Sequence, residues 1–400
     1  MISTIEAKAI IFSTIKDFGV EEVLLENALG RVLREEIVGD RDFPPYNRVT
    51  MDGIAIRFSE YENGLRSFDI EGIAAAGSPQ QHLEKSQACL EVMTGSIMPT
   101  GLDTVIPYEQ IEITKGKAKI GELNTKLGKN IHIKGFDKIK GDTLIKAGKQ
   151  IEAPEIGICS TVGKSKVLVS RLPRVIVIST GDELVNIEEV PLPHQIRKSN
   201  IFRLKSELQK QGIKADTIHL NDDFEEIKNV FSKIFDRFDV VMLSGGVSKG
   251  KFDFLPQALE AKGVEKRFHR IAQRPGKPFW FGTYENKCHV FAFPGNPISS
   301  FMCMQAYFNP WLNASLQLVE KPSPKAVLAN DVEFKPNLTF FCEVAIDYSE
   351  KGELLAIPVR GHGSGDLANL VRVDGYLVLE QGKDLYKAGE VYELIPFRGF

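Results

Sequence analysis

Adjacent glycines, serines, two lysines and a carboxylate surround one turn in SGGVSKGKFD, residues 244–253. Gly245 and Gly246 let a backbone turn its N–H groups outward, as phosphate-cradling loops do, and Ser248 adds a hydroxyl. From Gly245 the run matches the phosphate-loop pattern GxxxxGK[ST] at all but its last position, where Phe252 replaces the hydroxyl that would reach Mg2+. A true nucleotide P-loop is therefore not expected. Anion binding by the glycine turn is, with Asp253 as a carboxylate for a metal ion. Taken alone, the segment also reads as a strand-to-helix turn with solvated lysines.

Three more segments carry similar chemistry. STGDEL places Gly181 at a break with Asp182 and Glu183 behind it, either a pair of capping carboxylates or metal ligands. RPGKP puts Arg274 and Lys277 on either side of a Pro-Gly turn, and PGNP, Pro294-Gly295-Asn296-Pro297, is a stiff turn leading into a helix. Upstream, Asp52 precedes Gly53 in one turn, Thr94 stands beside Gly95 in another, and Asp137 lies in IHIKGFDKIKGD. Each is compatible with hairpin chemistry. His132 reads as a half-buried strand residue rather than a metal ligand.

The elements that must position these groups alternate from Pro173 onward. RVIVIST, ADTIHL and FDVVMLS are short apolar runs of strand type, and SNIFRLKSELQKQG and DDFEEIKNVFSKIFDRF show helical three-and-four spacing. Alternation of this kind predicts right-handed βαβ units and a parallel sheet, with KPFWFGTYE and HVFAFPG as later members. Ligands of such sheets bind at the carboxyl ends of strands, where this chain keeps its glycine turns. The first twenty or so residues read as helix, as does LENALGRVL ending near residue 33, and a further helix follows Pro154 and stops at Gly163. Residues 40–150 are β-rich, and the stretch after KPSP reads as a small barrel or sandwich.

With 400 residues, 43% hydrophobic and 26% charged, the chain is globular and multidomain. A net charge of -3 argues against bulk nucleic-acid binding. No run is long enough to span a bilayer, and the N-terminal stretch reads as an amphipathic helix rather than a signal peptide. Five scattered cysteines without CxxC spacing point to free buried thiols and a cytoplasmic protein, with no zinc site.

Taken in order, PPYNRVTMDGIA, EVMTGSIMPTGLDTVIP, GFDKIKGD, STGDEL, SGGVSKGKFD, RPGKP and FPGNP resemble the molybdopterin molybdenumtransferase family, the MoeA proteins and the gephyrin E domain, over essentially the whole chain. The resemblance implies an enzyme that inserts molybdate-derived molybdenum into the dithiolene of adenylylated molybdopterin and releases AMP with Mg2+ assistance. It implies a multidomain α/β plus β fold: a split N-terminal region (1–45 with 141–170), a β-rich inserted domain (46–140), a parallel-sheet α/β pterin-binding domain (171–320) and a C-terminal β-barrel (321–400). It implies a homodimer too, with molybdopterin adenylyltransferase and molybdoenzyme acceptors as partners.

On this resemblance Asp52, Thr94, Asp137, Glu183, Asp253, Arg274 and Lys277 serve the reaction, and Glu183 and Asp253 hold the metal. Gly245, Gly246, Ser248 and Pro294 to Pro297 hold the pterin nucleotide. Arg274, Phe136 and Ile54 depart from the better-known members, and Lys249 and Lys251 make the glycine loop unusually basic. The competing readings are a nucleotide-hydrolysing relative that shares the α/β domain and a gephyrin-like scaffold protein.

Overall fold

The computed structural model describes residues 1–247, 255–319 and 322–399. It divides into two compact units: Met1–Arg34, Gly148–Glu152 and Lys166–Phe400 form the larger, Glu35–Ala147 and Ala153–Ser165 the smaller.

The larger unit is organised around a six-stranded sheet of β1 (Val175–Thr180), β2 (Asp216–Leu220), β3 (Val240–Ser244), β4 (Glu265–His269), β5 (Trp280–Tyr284) and β6 (Cys288–Phe293), in the order β2-β1-β3-β6-β5-β4. Every residue of β1, β3 and β6 is buried. Continuous apolar runs without alternation form such central strands, because both faces are covered. Alternate residues then divide between two cores. Val175, Val177, Val240, Met242, Phe291 and Phe293 pack with helix α1 (Ser199–Lys210) and with the N-terminal residues Ala7 and Ile11. Ile176, Ile178, Val241, Leu243, Val290 and Ala292 pack with α2 (Phe224–Ile234) and α3 (Leu255–Ala261).

The sheet is parallel only from β2 to β6; β5 and β4 run antiparallel at its edge. The connection from β5 to β6 is a tight hairpin through Glu285 and Asn286, both at positive φ, so no crossover helix separates them. Two expectations at the N-terminus need correction. Its helix is only Thr4–Phe12, started by a Ser3–Glu6 capping box, and Val20–Leu24 is a strand that pairs antiparallel with Lys166–Ser170. LENALGRVL is one tight turn, Leu25–Asn27, because Gly30 sits at φ +78° and ends it.

At the C-terminus, Thr339–Tyr348, Leu354–Pro358, Lys325–Leu328, Val391–Pro396 and Gly375–Leu379 close into a five-stranded barrel when the last pairs with the first. Closure leaves those strands no free edge between them. The short strand Gln273–Arg274 pairs in parallel with Thr339 and Phe340, tying the β4–β5 connection to the barrel.

The smaller unit holds a second six-stranded sheet, in the order Thr104–Pro107, Gly53–Ile56, Ala88–Val92, Ser67–Ala74, Lys117–Ile120, Ile111–Thr114, together with helix Ala153–Thr161. Across both units the five cysteines are buried and unbridged. Among the described residues no helix is long and apolar enough to cross a membrane.

His289 of β6 gives the larger unit a pH dependence. Its Nε2 donates to Thr14 O at 2.9 Å, its ring lies 4.7 Å from that of Trp311, and its buried Nδ1 has no partner among the described residues. Burial pulls its pKa from 6.5 down to about 4. The unfolded chain therefore takes up a proton that the fold refuses, so this contribution is complete above pH 6.5 and is lost as pH falls toward 4. The loss amounts to about 3 kcal/mol. Urea unfolding followed across that window should show stability falling, and His289→Phe should flatten the fall.

Candidate functional site

Three parallel strands end side by side, and their loops enclose a cavity of about 560 Å³. After β1, Gly181 takes φ +133° and the Glu183 carboxylate folds back over it. Glu183 lines the cavity, whereas Asp182 accepts from the Asp222 backbone N–H at 3.1 Å and joins the loops after β1 and β2. Of the two carboxylates, only one faces the cavity. Asp222, which sequence reasoning missed, faces it as well. Its Asn-Asp-Asp context marks only a loop.

After β3, Gly245 and Gly246 lie at φ +107° and +66°. A Cβ on Gly245 would stand 2.9 Å from Thr180 O, and one on Gly295 would stand 3.5 Å from the Gly245 Cα. The tips of β1, β3 and β6 thus approach one another backbone to backbone, and at Gly245 the approach and the positive φ require glycine. The Gly245 N–H donates to Phe293 O at 3.2 Å, so it stitches β3 to β6. Among the described residues the Gly246 N–H has no acceptor, and the Thr180 hydroxyl at the cavity floor is buried without a partner. Ser248, Lys249, Lys251 and Asp253 lie outside the described residues.

Asn200, in the first turn of α1, locks the arrangement. Its Nδ2 donates to Ser244 Oγ at 2.9 Å and to Gly295 O at 2.6 Å, and its Oδ1 accepts from the Arg203 guanidinium. No sequence signal separates this Asn from an ordinary helix-start residue. Pro294, Gly295, Asn296 and Pro297 all line the cavity, and Asn296 donates to Ser364 Oγ of the barrel region at 2.8 Å.

Pro278, Pro294 and Asn296 also line a second cleft, of about 1040 Å³, between the β-sheet and the barrel. Arg274, Lys277 and Arg360 supply its cations, and Glu343 is a half-buried carboxylate whose pKa burial pushes up. Arg274 and Lys277 are exposed, and the Arg274 guanidinium lies 5.9 Å from the Phe334 ring centre. A heteroaromatic phosphate in the first space and an oxyanion in the second would be neighbours.

Asp52, Thr94 and Asp137 belong to the smaller unit. Asp52 and Thr94 are brought together: the Thr94 N–H donates to Asp52 Oδ1 at 2.6 Å and, with the Thr94 side chain, holds the carboxyl below its usual range. Asp137 instead accepts from His132 at 3.1 Å, and His132 in turn meets Arg48 at 3.1 Å. As a metal site, the first cavity offers Glu183 and Asp222, a hard-oxygen pair of the kind Mg2+ shares with substrate phosphates. Among the described residues no cluster of three or more His, Cys, Asp or Glu is present.

Known proteins bear on this geometry. Family models described as the MoeA N-terminal region (domain I and II), a probable molybdopterin binding domain and the MoeA C-terminal region (domain IV) match residues 2–163, 176–314 and 325–397. The chain is 39% identical to a molybdopterin molybdenumtransferase of Synechocystis sp., covering 98% of this chain and 99% of that one. It is 31% identical to the enzyme of the same name from Haemophilus influenzae, with 94% of each covered. A crystal structure of the molybdopterin biosynthesis MoeA protein of Pyrococcus horikoshii superposes with a TM-score of 0.83 at 25% identity, covering 99% of this chain and 100% of that one.

If Asn200 holds the strand tips, Asn200→Ala should lower unfolding stability by about 1–3 kcal/mol, since it removes the partner of Ser244 Oγ, Gly295 O and the Arg203 guanidinium. Gly245→Ala, forced to φ +107° against Thr180, should cost a similar amount through backbone strain. Denaturant titration measures both.

Proposed function

The chain belongs to the molybdopterin molybdenumtransferase (MoeA) family, and from that premise we propose that its two adjoining cavities are where molybdate-derived molybdenum enters the dithiolene of adenylylated molybdopterin, with release of AMP. The observation that carries this reading is the shared wall Pro278, Pro294 and Asn296, which sets a glycine-built, carboxylate-edged space beside a cation-lined cleft.

The phosphoanhydride of the pterin nucleotide fits the strand tips, where the Gly246 N–H has no acceptor among the described residues and Lys198 supplies a cation. Glu183 and Asp222 would hold Mg2+, which would supply Lewis-acid polarisation for AMP release. Asp253 belongs to the same reading on the strength of its motif. Molybdate, a dianionic substrate, suits Arg274 and Lys277, both exposed on the cleft wall.

Asp52, Thr94 and Asp137 are assigned to the same reaction by the resemblance of their motifs. The four-part domain division, a homodimer, a cytoplasmic location and exchange with molybdopterin adenylyltransferase and molybdoenzyme acceptors complete the proposal.

Molybdate-dependent AMP release from adenylylated molybdopterin tests it. Glu183→Gln should lower turnover on the order of a hundredfold while pterin nucleotide affinity changes little, the pattern of a group acting on the reacting phosphate. Lys277→Ala should raise the half-saturating molybdate concentration about tenfold, the effect of one charge-assisted contact. Unchanged kinetics in both variants, or ATP turnover without any pterin, would contradict the assignment.

A further inference from the structure

The turn that carries Arg274 and Lys277 rests on a polar floor within an otherwise apolar core. Gln273 is fully buried. Its Nε2 donates to Gly276 O at 3.1 Å and lies 3.6 Å from Cys303 Sγ, and its Oε1 accepts from the Tyr307 hydroxyl. Tyr307 is itself fully buried, 5.4 Å from the Phe279 ring, on the π-helical turn Met304–Phe308 that interrupts Pro297–Ser315. Burial holds the phenol well above its usual pKa, so it stays a proton donor.

A leucine would fill this site at lower cost, because a buried amide must have its desolvation repaid by hydrogen bonds. What the amide adds is direction. The turn is already closed by the Ile271 N–H on Lys277 O at 3.0 Å and held at one side by pairing with Thr339 and Phe340. Its apex, Gly276 at φ +86°, is fixed only from below. A Cβ there would stand 2.6 Å from Cys303 Sγ and 2.8 Å from Gln273 Nε2, so the apex lies flush on that floor. π-turns concentrate at functional sites, and this one delivers the hydroxyl that orients the Gln273 amide.

We propose that Gln273, oriented by Tyr307 from the π-turn, is a positioning residue that aims Arg274 and Lys277 together into the anion-binding cleft. It rests on the reading above that these two cations hold the substrate oxyanion. Tyr307 does not line the cleft, and Gln273 borders it as a fully buried residue beneath the turn, so their loss should show in molybdate affinity and not in the chemical step.

The test uses the full chain, with molybdate titrated calorimetrically and molybdate saturation of AMP release measured in Tyr307→Phe, Gln273→Leu and Lys277→Ala. Tyr307→Phe and Gln273→Leu should weaken molybdate binding by about three- to tenfold, the reach of one or two neutral hydrogen bonds, with kcat and pterin nucleotide affinity within about twofold of wild type. Should Lys277→Ala weaken molybdate while both floor variants bind it normally, the positioning role is overturned and the oxyanion reading stands. If Lys277→Ala has no effect, both fall. If Gln273→Leu does not fold, Tyr307→Phe, which removes a single oxygen, decides alone.

Discussion

Backbone meets backbone at the tips of β1, β3 and β6, and that contact is the constraint on which the rest of the larger unit depends. Gly245 packs so closely on Thr180 that a Cβ there would stand 2.9 Å from Thr180 O, and a Cβ on Gly295 would lie in van der Waals contact with the Gly245 backbone. The consequence runs outward: the loops that follow are pressed into one rim, Asn200 bridges two of them, and Glu183 and Asp222 are left at the edge. A sheet whose strands ended with side chains at these points would splay its loops. It would have the same fold and no common cavity.

The second cleft obeys the same logic with a different device. Its cations sit on a connection borrowed from the α/β sheet and fastened to the barrel by strand pairing and to the core by a buried amide. The short segment Gln273–Arg274 thereby joins sheet and barrel by strand pairing, and Pro294 and Asn296 line both spaces. An enzyme that must bring an oxyanion to an activated phosphorylated chelate needs two differently lined spaces with a common boundary, and these loops provide that boundary.

Much of this was legible in the residues. Strand-helix alternation after Pro173 announced the sheet, continuous apolar runs marked its buried centre, and glycine at the ends of VVMLS and AFP marked strand tips that line the cavity. What escaped reading was non-local or locally neutral. Val20–Leu24 becomes a strand only because Lys166–Ser170 is there to pair with it, and β5 runs antiparallel to β6 because a three-residue hairpin cannot cross over. Asn200, Asp222, Gln273 and Tyr307 have no motif; their roles arise from what folding places opposite them. Spacing alone did not separate Asp182 from Glu183, which the motif resemblance singled out, and the Asp222 amide shows the difference between a loop staple and a cavity carboxylate.

Hydrogen exchange of the full chain, with and without adenylylated molybdopterin, tests the convergence of the strand tips most directly. The account predicts that the ligand slows exchange together at Ser244–Gly246 and at Gly295 and Asn296, with the Asn221–Asp222 loop following. Protection confined to one of these loops, or found only in the barrel or the smaller unit, would contradict it.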